Sequence, residues 1–109
     1  MNIQKIFLVE FHDIDKNLFS WYNAFIKIVE FRNKIEVKMI ITFAGHASIP
    51  SPALIKELVK AQIRNHITSA QAITFYLGGY GDFDEICACA CRELKQNMPT
   101  LYLFTLHHI

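Results

Sequence analysis

Three short apolar runs, separated by two segments of helical periodicity, limit how residues 37–109 can fold. The runs are VKMIITF, AITFYL and TLYLFTL, which begin at Val37, Ala72 and Thr100. Each run has the length of one buried strand, and each intervening segment has the spacing of an amphipathic helix. Strands that alternate with helices favour parallel pairing through right-handed crossovers. The pattern therefore predicts an α/β fold with a parallel sheet of about three strands and flanking helices.

Turn-forming residues mark where the two helices begin. Before the first helix, Ser51 can act as the cap with Pro52 in the first helical position. The second helix follows a glycine-rich turn, and Asp82 or Asp84 lies in its first turn, where the helix dipole favours negative charge. The order strand, helix, strand, helix, strand corresponds to half of a doubly wound domain. Ligands of such sheets bind outside the carboxyl ends of the strands.

The first 36 residues carry a different pattern. The stretch IQKIFLVEF is consistent with a short strand, and the later stretch NLFSWYNAFIKIVEFRN spaces large apolar residues three and four apart. That spacing predicts an amphipathic helix with an aromatic face, which Asp15 or Asn17 could cap. The residues on this face are Leu18, Phe19, Tyr22, Phe25, Ile26 and Val29. We therefore divide the chain into an N-terminal extension, residues 1–36, and an α/β domain, residues 37–109.

Charge and hydropathy exclude several classes of partner. The chain has eleven basic and ten acidic residues, so its formal net charge is +1. This balance predicts no broad attraction to nucleic acid or to an anionic membrane. The apolar start has no features of a signal peptide, and no apolar run reaches the length of a membrane span. We expect a cytoplasmic protein that binds neither nucleic acid nor membrane.

The cysteines and histidines do not predict a metal centre. Cys87 and Cys91 would share one helix face, whereas Cys89 would point roughly the other way. We interpret all three as small packing residues in a reducing compartment. His107 and His108 follow the third strand and are weaker candidates for the ligand-binding edge. No spacing of His, Cys, Asp or Glu indicates a catalytic triad, and we expect no metal and no cofactor.

The stretch LGGYGDFDE is the most specific local feature of the sequence. Gly78, Gly79 and Gly81 allow positive φ angles and close approach of a ligand, and they lead directly into a helix N-terminus, which attracts anions. The stretch matches neither the GxGxxG pattern nor a P-loop. It therefore indicates either a phosphate or ribose cradle or a tight turn without a ligand. Asp82 or Asp84 would cap the helix or accept hydrogen bonds from ribose hydroxyls.

The stretches ITFAGHASIP and TFYLGGYGDFDEICACACRELKQ resemble the SLOG superfamily, from about Lys38 to Ile109. This group contains Rossmann-like domains related to the DNA-processing protein DprA and to the LOG phosphoribohydrolases. The similarity is strongest to short bacterial and phage-type members with a Gly-His and a later Gly-Gly-Tyr-Gly-x-Phe-Asp pattern. It implies a Rossmann-like fold that binds a nucleotide or a nucleotide-derived ligand, as a sensor rather than a catalyst. From the resemblance and the helix start together, we expect the ligand-binding residues to be Gly45, His46, Gly78, Gly79, Tyr80, Gly81, Asp82 and Asp84.

Departures from the family pattern bear on catalysis. Ala47 stands where an arginine is common, which removes one expected phosphate contact. Glu85 falls on the glutamate position of the phosphoribohydrolase branch, but Asp82 replaces a threonine there and the arginine-bearing motif is missing. The resemblance leaves cleavage of a nucleotide monophosphate as the alternative function, with Glu85 as the acid. We expect no catalytic residue.

The resemblance also implies a larger domain than this chain contains. Similar proteins continue with further strands and helices after the third strand, so we expect a fragment whose sheet has an unprotected edge. The N-terminal extension or another chain would cover that edge, which leaves open a homo-oligomer or an inert, partner-dependent half domain. Residues 1–36 are either a lineage-specific addition or upstream sequence joined by a wrong start.

Overall fold

The described residues form a five-stranded mixed sheet with two helices packed on one of its faces. The computed structural model describes residues 3–11, 24–45, 51–67, 70–79, 81–98 and 101–108. The strands are β1 (Ile3–Phe11), β2 (Ala24–Arg32), β3 (Val37–Gly45), β4 (Ala72–Leu77) and β5 (Leu103–His108), and the helices are α1 (Pro52–His66) and α2 (Asp82–Asn97).

The strands lie side by side in the order of the sequence. Strand β2 pairs antiparallel with both β1 and β3, whereas β3, β4 and β5 run parallel to one another. The crossovers through α1 and α2 step across the sheet in the same direction. Because right-handed crossovers of that kind place their helices on one side, α1 and α2 lie on the same face and pack against each other.

The predicted fold class was wrong in its sheet and in its N-terminal helix. The sheet of the described residues has five strands instead of about three, and Ala24–Arg32 form strand β2 instead of part of an amphipathic helix. Burial along β2 has a period of two, so Ile26 and Ile28 are buried while Lys27 between them is exposed. Three residues of the predicted aromatic face lie outside the described residues: Leu18, Phe19 and Tyr22. Both predicted caps, Asp15 and Asn17, lie outside them as well.

Pairing on both sides explains why this segment is a strand. Each of its nine residues has a partner in β1 and a partner in β3. Apolar residues occur on both faces of β2, so their positions fit a period of three or four as well as a period of two. Since the segment is rich in Ile, Val and Phe, which favour strands, the tertiary pairing decides between the two patterns.

The position of β2 also changes where a ligand crevice could form. In a doubly wound sheet the strand order reverses beside the first parallel strand, and the crevice lies at that reversal. Here that place beside β3 is taken by the antiparallel strand β2, so the described residues contain no such reversal. The turn between the two strands is closed by Asn33, whose Oδ1 accepts the N–H groups of Ile35 at 2.8 Å and Glu36 at 2.9 Å. The division into residues 1–36 and 37–109 stays a prediction.

The main core lies between the helices and the sheet. Phe75 is fully buried in β4. Its ring stacks between those of Phe104 and Phe43, with centroid distances of 5.7 Å and 6.3 Å. The other large, fully buried side chains are Phe83, Ile26, Ile28, Met39, Ile41, Ile55, Ile63, Ile67 and Ile73. No helix in the described part of the chain is long and apolar enough to cross a membrane.

Candidate functional site

The glycine turn lies at the carboxyl edge of the parallel strands. Strand β4 ends at Leu77, Gly78 and Gly79 follow, and α2 begins at Asp82. Strand β3 ends at Gly45 on the same edge, because β3 and β4 are parallel. Six of the predicted site residues therefore lie in segments that meet at this edge: Gly45, Gly78, Gly79, Gly81, Asp82 and Asp84. Two more, His46 and Tyr80, lie outside the described residues, as does Ala47.

The backbone conformation at position 81 requires a glycine. It occupies the N-cap position of α2 with φ 90° and ψ 179°, a region that only glycine adopts readily. Its carbonyl accepts the N–H of Glu85 at 3.3 Å, which starts the helix. Because glycine has no side chain, the cap leaves the helix start without a capping side chain at this position.

Gly78 has a close neighbour that favours glycine. A Cβ atom on Gly78 would lie 2.8 Å from Oδ2 of Asp84, so a side chain there would require the Asp84 carboxylate to shift. The half-buried carboxylate of Asp84 therefore lies against the turn. Asp82 is exposed in the same first turn of α2, as the sequence predicted.

Gly79 has neither of these reasons to be glycine. Its φ lies outside the left-handed range, and a Cβ atom there would meet no described heavy atom within 4 Å. The residue is exposed at the turn. The described residues thus leave the space beside its backbone open and do not explain why a glycine stands there.

The two C-terminal histidines lie within the last strand, not after it as the sequence predicted. His107 pairs with Tyr76 and His108 with Leu77. The rings of His107 and Tyr76 stack with their centroids 5.1 Å apart, on the face of the sheet opposite α1 and α2. Backbone pairing with β4 therefore holds both residues in the sheet.

A groove of about 490 Å³ runs between the two helices beside the glycine turn. Its lining residues are Pro52, Ala53, Lys56, Asp82, Glu85, Ile86, Cys89 and Glu93. Neither Gly78 nor Gly79 lines it. Glu85, the acid of the alternative enzymatic function, is exposed on the wall of this interhelical groove.

Ion pairs across the interhelical groove tie α1 to α2. Oε2 of Glu93, in α2, lies 2.8 Å from Nζ of Lys56. Its Oε1 lies 3.1 Å from Nζ of the buried Lys60. Lys60 also lies 3.6 Å from a carboxylate oxygen of Glu57. These hydrogen bonds lower the pKa of Glu93, and the bond to Glu93 raises the pKa of Lys56. Sequence reasoning missed this cluster, although Lys56 and Lys60 stand four residues apart on one helix face.

The cysteines pack as the sequence predicted. Cys87 and Cys91 are fully buried on the core side of α2, and Cys89 is half-buried on the interhelical groove. Burial raises the pKa of the Cys87 and Cys91 thiols, so both stay protonated at neutral pH. Within the segments that the structure describes, no group of three His, Cys, Asp or Glu residues could hold a metal ion.

Comparisons with protein-family models, with curated proteins and with solved structures found no match to this chain.

Proposed function

We propose that this protein binds a nucleotide or a nucleotide-derived ligand at the glycine turn and acts as a sensor. The observation that carries the proposal is the space at Gly79, which the described residues leave open. Conformation accounts for Gly81 and the contact with Asp84 accounts for Gly78, but neither reason applies to Gly79. A glycine whose backbone faces open space at a helix start allows close approach of a phosphate.

The charges around the turn support one orientation of such a ligand. The carboxylate of Asp84 lies against Gly78, so a phosphate would be repelled there and would lie toward Gly79 and Gly81. Asp84 or the exposed Asp82 would accept hydrogen bonds from ribose hydroxyls. The resemblance to the SLOG superfamily supports this arrangement and adds Gly45, His46 and Tyr80 as contacts.

The same proposal includes a cytoplasmic location and a small-molecule partner, with neither nucleic acid nor membrane bound. Phosphoribohydrolase activity is the less favoured alternative. It would require Glu85 in the pocket, yet Glu85 is exposed on the interhelical groove, which the glycines do not line.

Thermal unfolding with and without ligands tests the proposal. We would measure the wild type, Gly79→Ala and a control, Asn65→Ala, alone and with millimolar AMP, ADP-ribose or NAD. Asn65 is exposed near the end of α1, away from the turn. A ligand at ten times its Kd stabilises the folded state by about 1.4 kcal/mol, which corresponds to a rise in Tm of roughly 5–10 °C.

We expect one ligand to raise the Tm of the wild type and of Asn65→Ala but not of Gly79→Ala. Without ligand all three proteins should unfold cooperatively, and Gly79→Ala should be at least as stable as the wild type, because the described residues leave room for a methyl group at Gly79. If the ligand shifts Gly79→Ala as much as the wild type, the turn is not the site. If none of the ligands shifts the wild type, binding of these three nucleotides is refuted. If the wild type shows no transition at all, the partner-dependent half domain becomes the better description.

A further inference from the structure

A second groove lies on the other flank of α2, between that helix and strand β5. We call it the α2–β5 groove, and its volume is about 600 Å³. Its lining residues are Arg92, Lys95, Gln96, Tyr102, Leu103, Phe104 and Leu106. It shares no lining residue with the interhelical groove, and none of the predicted ligand-binding residues lines it.

The α2–β5 groove has the walls that a helix lying on a sheet would contact. On α2, Arg92 and Lys95 are three residues apart and so share one helix face. On the β5 side, Phe104 and Leu106 alternate with an exposed residue and so share one face of the strand. The main contacts of α2 are with α1, β3 and β4, so the helices that the structure describes do not extend over β5.

The dimensions of the α2–β5 groove suit a short helix. Tyr102 and Leu106 are separated by four residue steps of about 3.3 Å, which gives an apolar floor of roughly 13 Å. A helix rises about 1.5 Å per residue, so roughly nine residues would span this floor. A small anion could contact the cationic wall but would leave most of the floor exposed.

Charge decides what kind of helix would fit. No carboxylate lines the α2–β5 groove, and neither Arg92 nor Lys95 forms an ion pair with any residue that the structure describes. The interhelical groove is different, because there Glu93 pairs with both Lys56 and Lys60. The two cations of the α2–β5 groove therefore present an uncompensated positive wall beside an apolar floor.

We propose that the α2–β5 groove binds an acidic amphipathic helix of a partner protein. The apolar face of that helix would pack on Tyr102, Phe104 and Leu106. Its Asp or Glu residues would pair with Arg92 and Lys95. This is the helix-in-groove mode of recognition, in which apolar anchors recur at three- and four-residue spacing and charge sets specificity.

Selection from a peptide library tests this proposal without a known partner. The probe is a phage-displayed library of 14-residue helical peptides with randomised apolar and charged positions. The library is selected on the wild-type protein and counter-selected on the double variant Arg92→Glu/Lys95→Glu. We expect enriched peptides with apolar residues on one face and Asp or Glu beside it, whose synthetic versions bind the double variant at least ten-fold more weakly.

Two controls separate the α2–β5 groove from general electrostatics. The double variant Lys27→Glu/Arg64→Glu makes the same change of net charge at exposed cations outside the groove, and it should bind the peptides nearly as well as the wild type. Peptides with Lys in place of Asp and Glu should bind Arg92→Glu/Lys95→Glu better than the wild type. Both variants should stay folded with similar Tm values, because all four substituted residues are exposed and each variant reverses one cation in the last turn of a helix.

Three outcomes would overturn the proposal. The first is that selection enriches no peptide. The second is that it enriches peptides regardless of charge and that these bind Arg92→Glu/Lys95→Glu as well as the wild type. The third is an equal loss of binding in the control variant, which would show that only net charge matters.

Discussion

Replacement of Gly81 by alanine should destabilise the fold, whereas the same replacement at Gly79 should not. Gly81 has φ 90° and ψ 179°, and a side chain held in that region costs about 1–3 kcal/mol. At Gly79 a Cβ atom would meet no described heavy atom within 4 Å and φ is ordinary, so no such strain arises. The two substitutions are chemically identical and two residues apart, which makes each the control for the other.

Comparison of the two variants also removes the effect on the unfolded chain. Glycine to alanine restricts the unfolded chain and contributes about 0.4–1 kcal/mol of stability wherever the folded conformation tolerates it. Since this contribution is nearly the same at both positions, the difference in unfolding free energy isolates the strain at Gly81. We therefore expect Gly81→Ala to be about 1–3 kcal/mol less stable than Gly79→Ala.

Urea denaturation followed by circular dichroism measures this difference. A small domain has a total stability of about 5–15 kcal/mol, so both variants should remain folded in water. The midpoint of Gly81→Ala should fall while its m-value stays that of the wild type, because the surface exposed on unfolding does not change. Equal midpoints for the two variants would refute the glycine-only conformation at the start of α2.

Two further predictions concern acid stability and thiol reactivity. Because Lys56 and Lys60 lower the pKa of Glu93 from its ordinary 4.5, that carboxylate stabilises the fold above this pH and loses the effect as pH falls toward its folded-state pKa. The unfolding free energy of the wild type should therefore fall more steeply below that pH than that of Glu93→Gln, and parallel pH profiles would contradict this. N-ethylmaleimide should modify the half-buried Cys89 first and the two buried cysteines only in urea, as mass spectrometry would show. Rapid modification of all three thiols in the native protein, or an unchanged overall rate of modification of the native protein in Cys89→Ser, would contradict the burial.

The candidate site was only partly accessible to sequence reasoning. The glycine block and the acidic first turn of α2 are local features, so the positions of Asp82 and Asp84 could be predicted from the sequence. The different reasons for the three glycines could not, because they depend on a backbone angle at Gly81 and on a contact between Gly78 and Asp84. Ser51 shows the same limit: it occupies the N-cap position before Pro52 as predicted, yet its side chain makes no capping hydrogen bond.

The sequence by itself determined the elements whose signal is local. Helical spacing and a turn signal indicated α1 and α2, and compact apolar runs indicated β3, β4 and β5. Only the tertiary structure decided that Ala24–Arg32 is a strand, because its apolar residues suit either periodicity and the choice depends on partners in β1 and β3. It also decided which charges meet. Lys60 and Glu93 are far apart in the chain and pair only because α1 and α2 lie side by side on one face of the sheet, whereas Arg92 and Lys95 face a flank where the described residues offer no carboxylate.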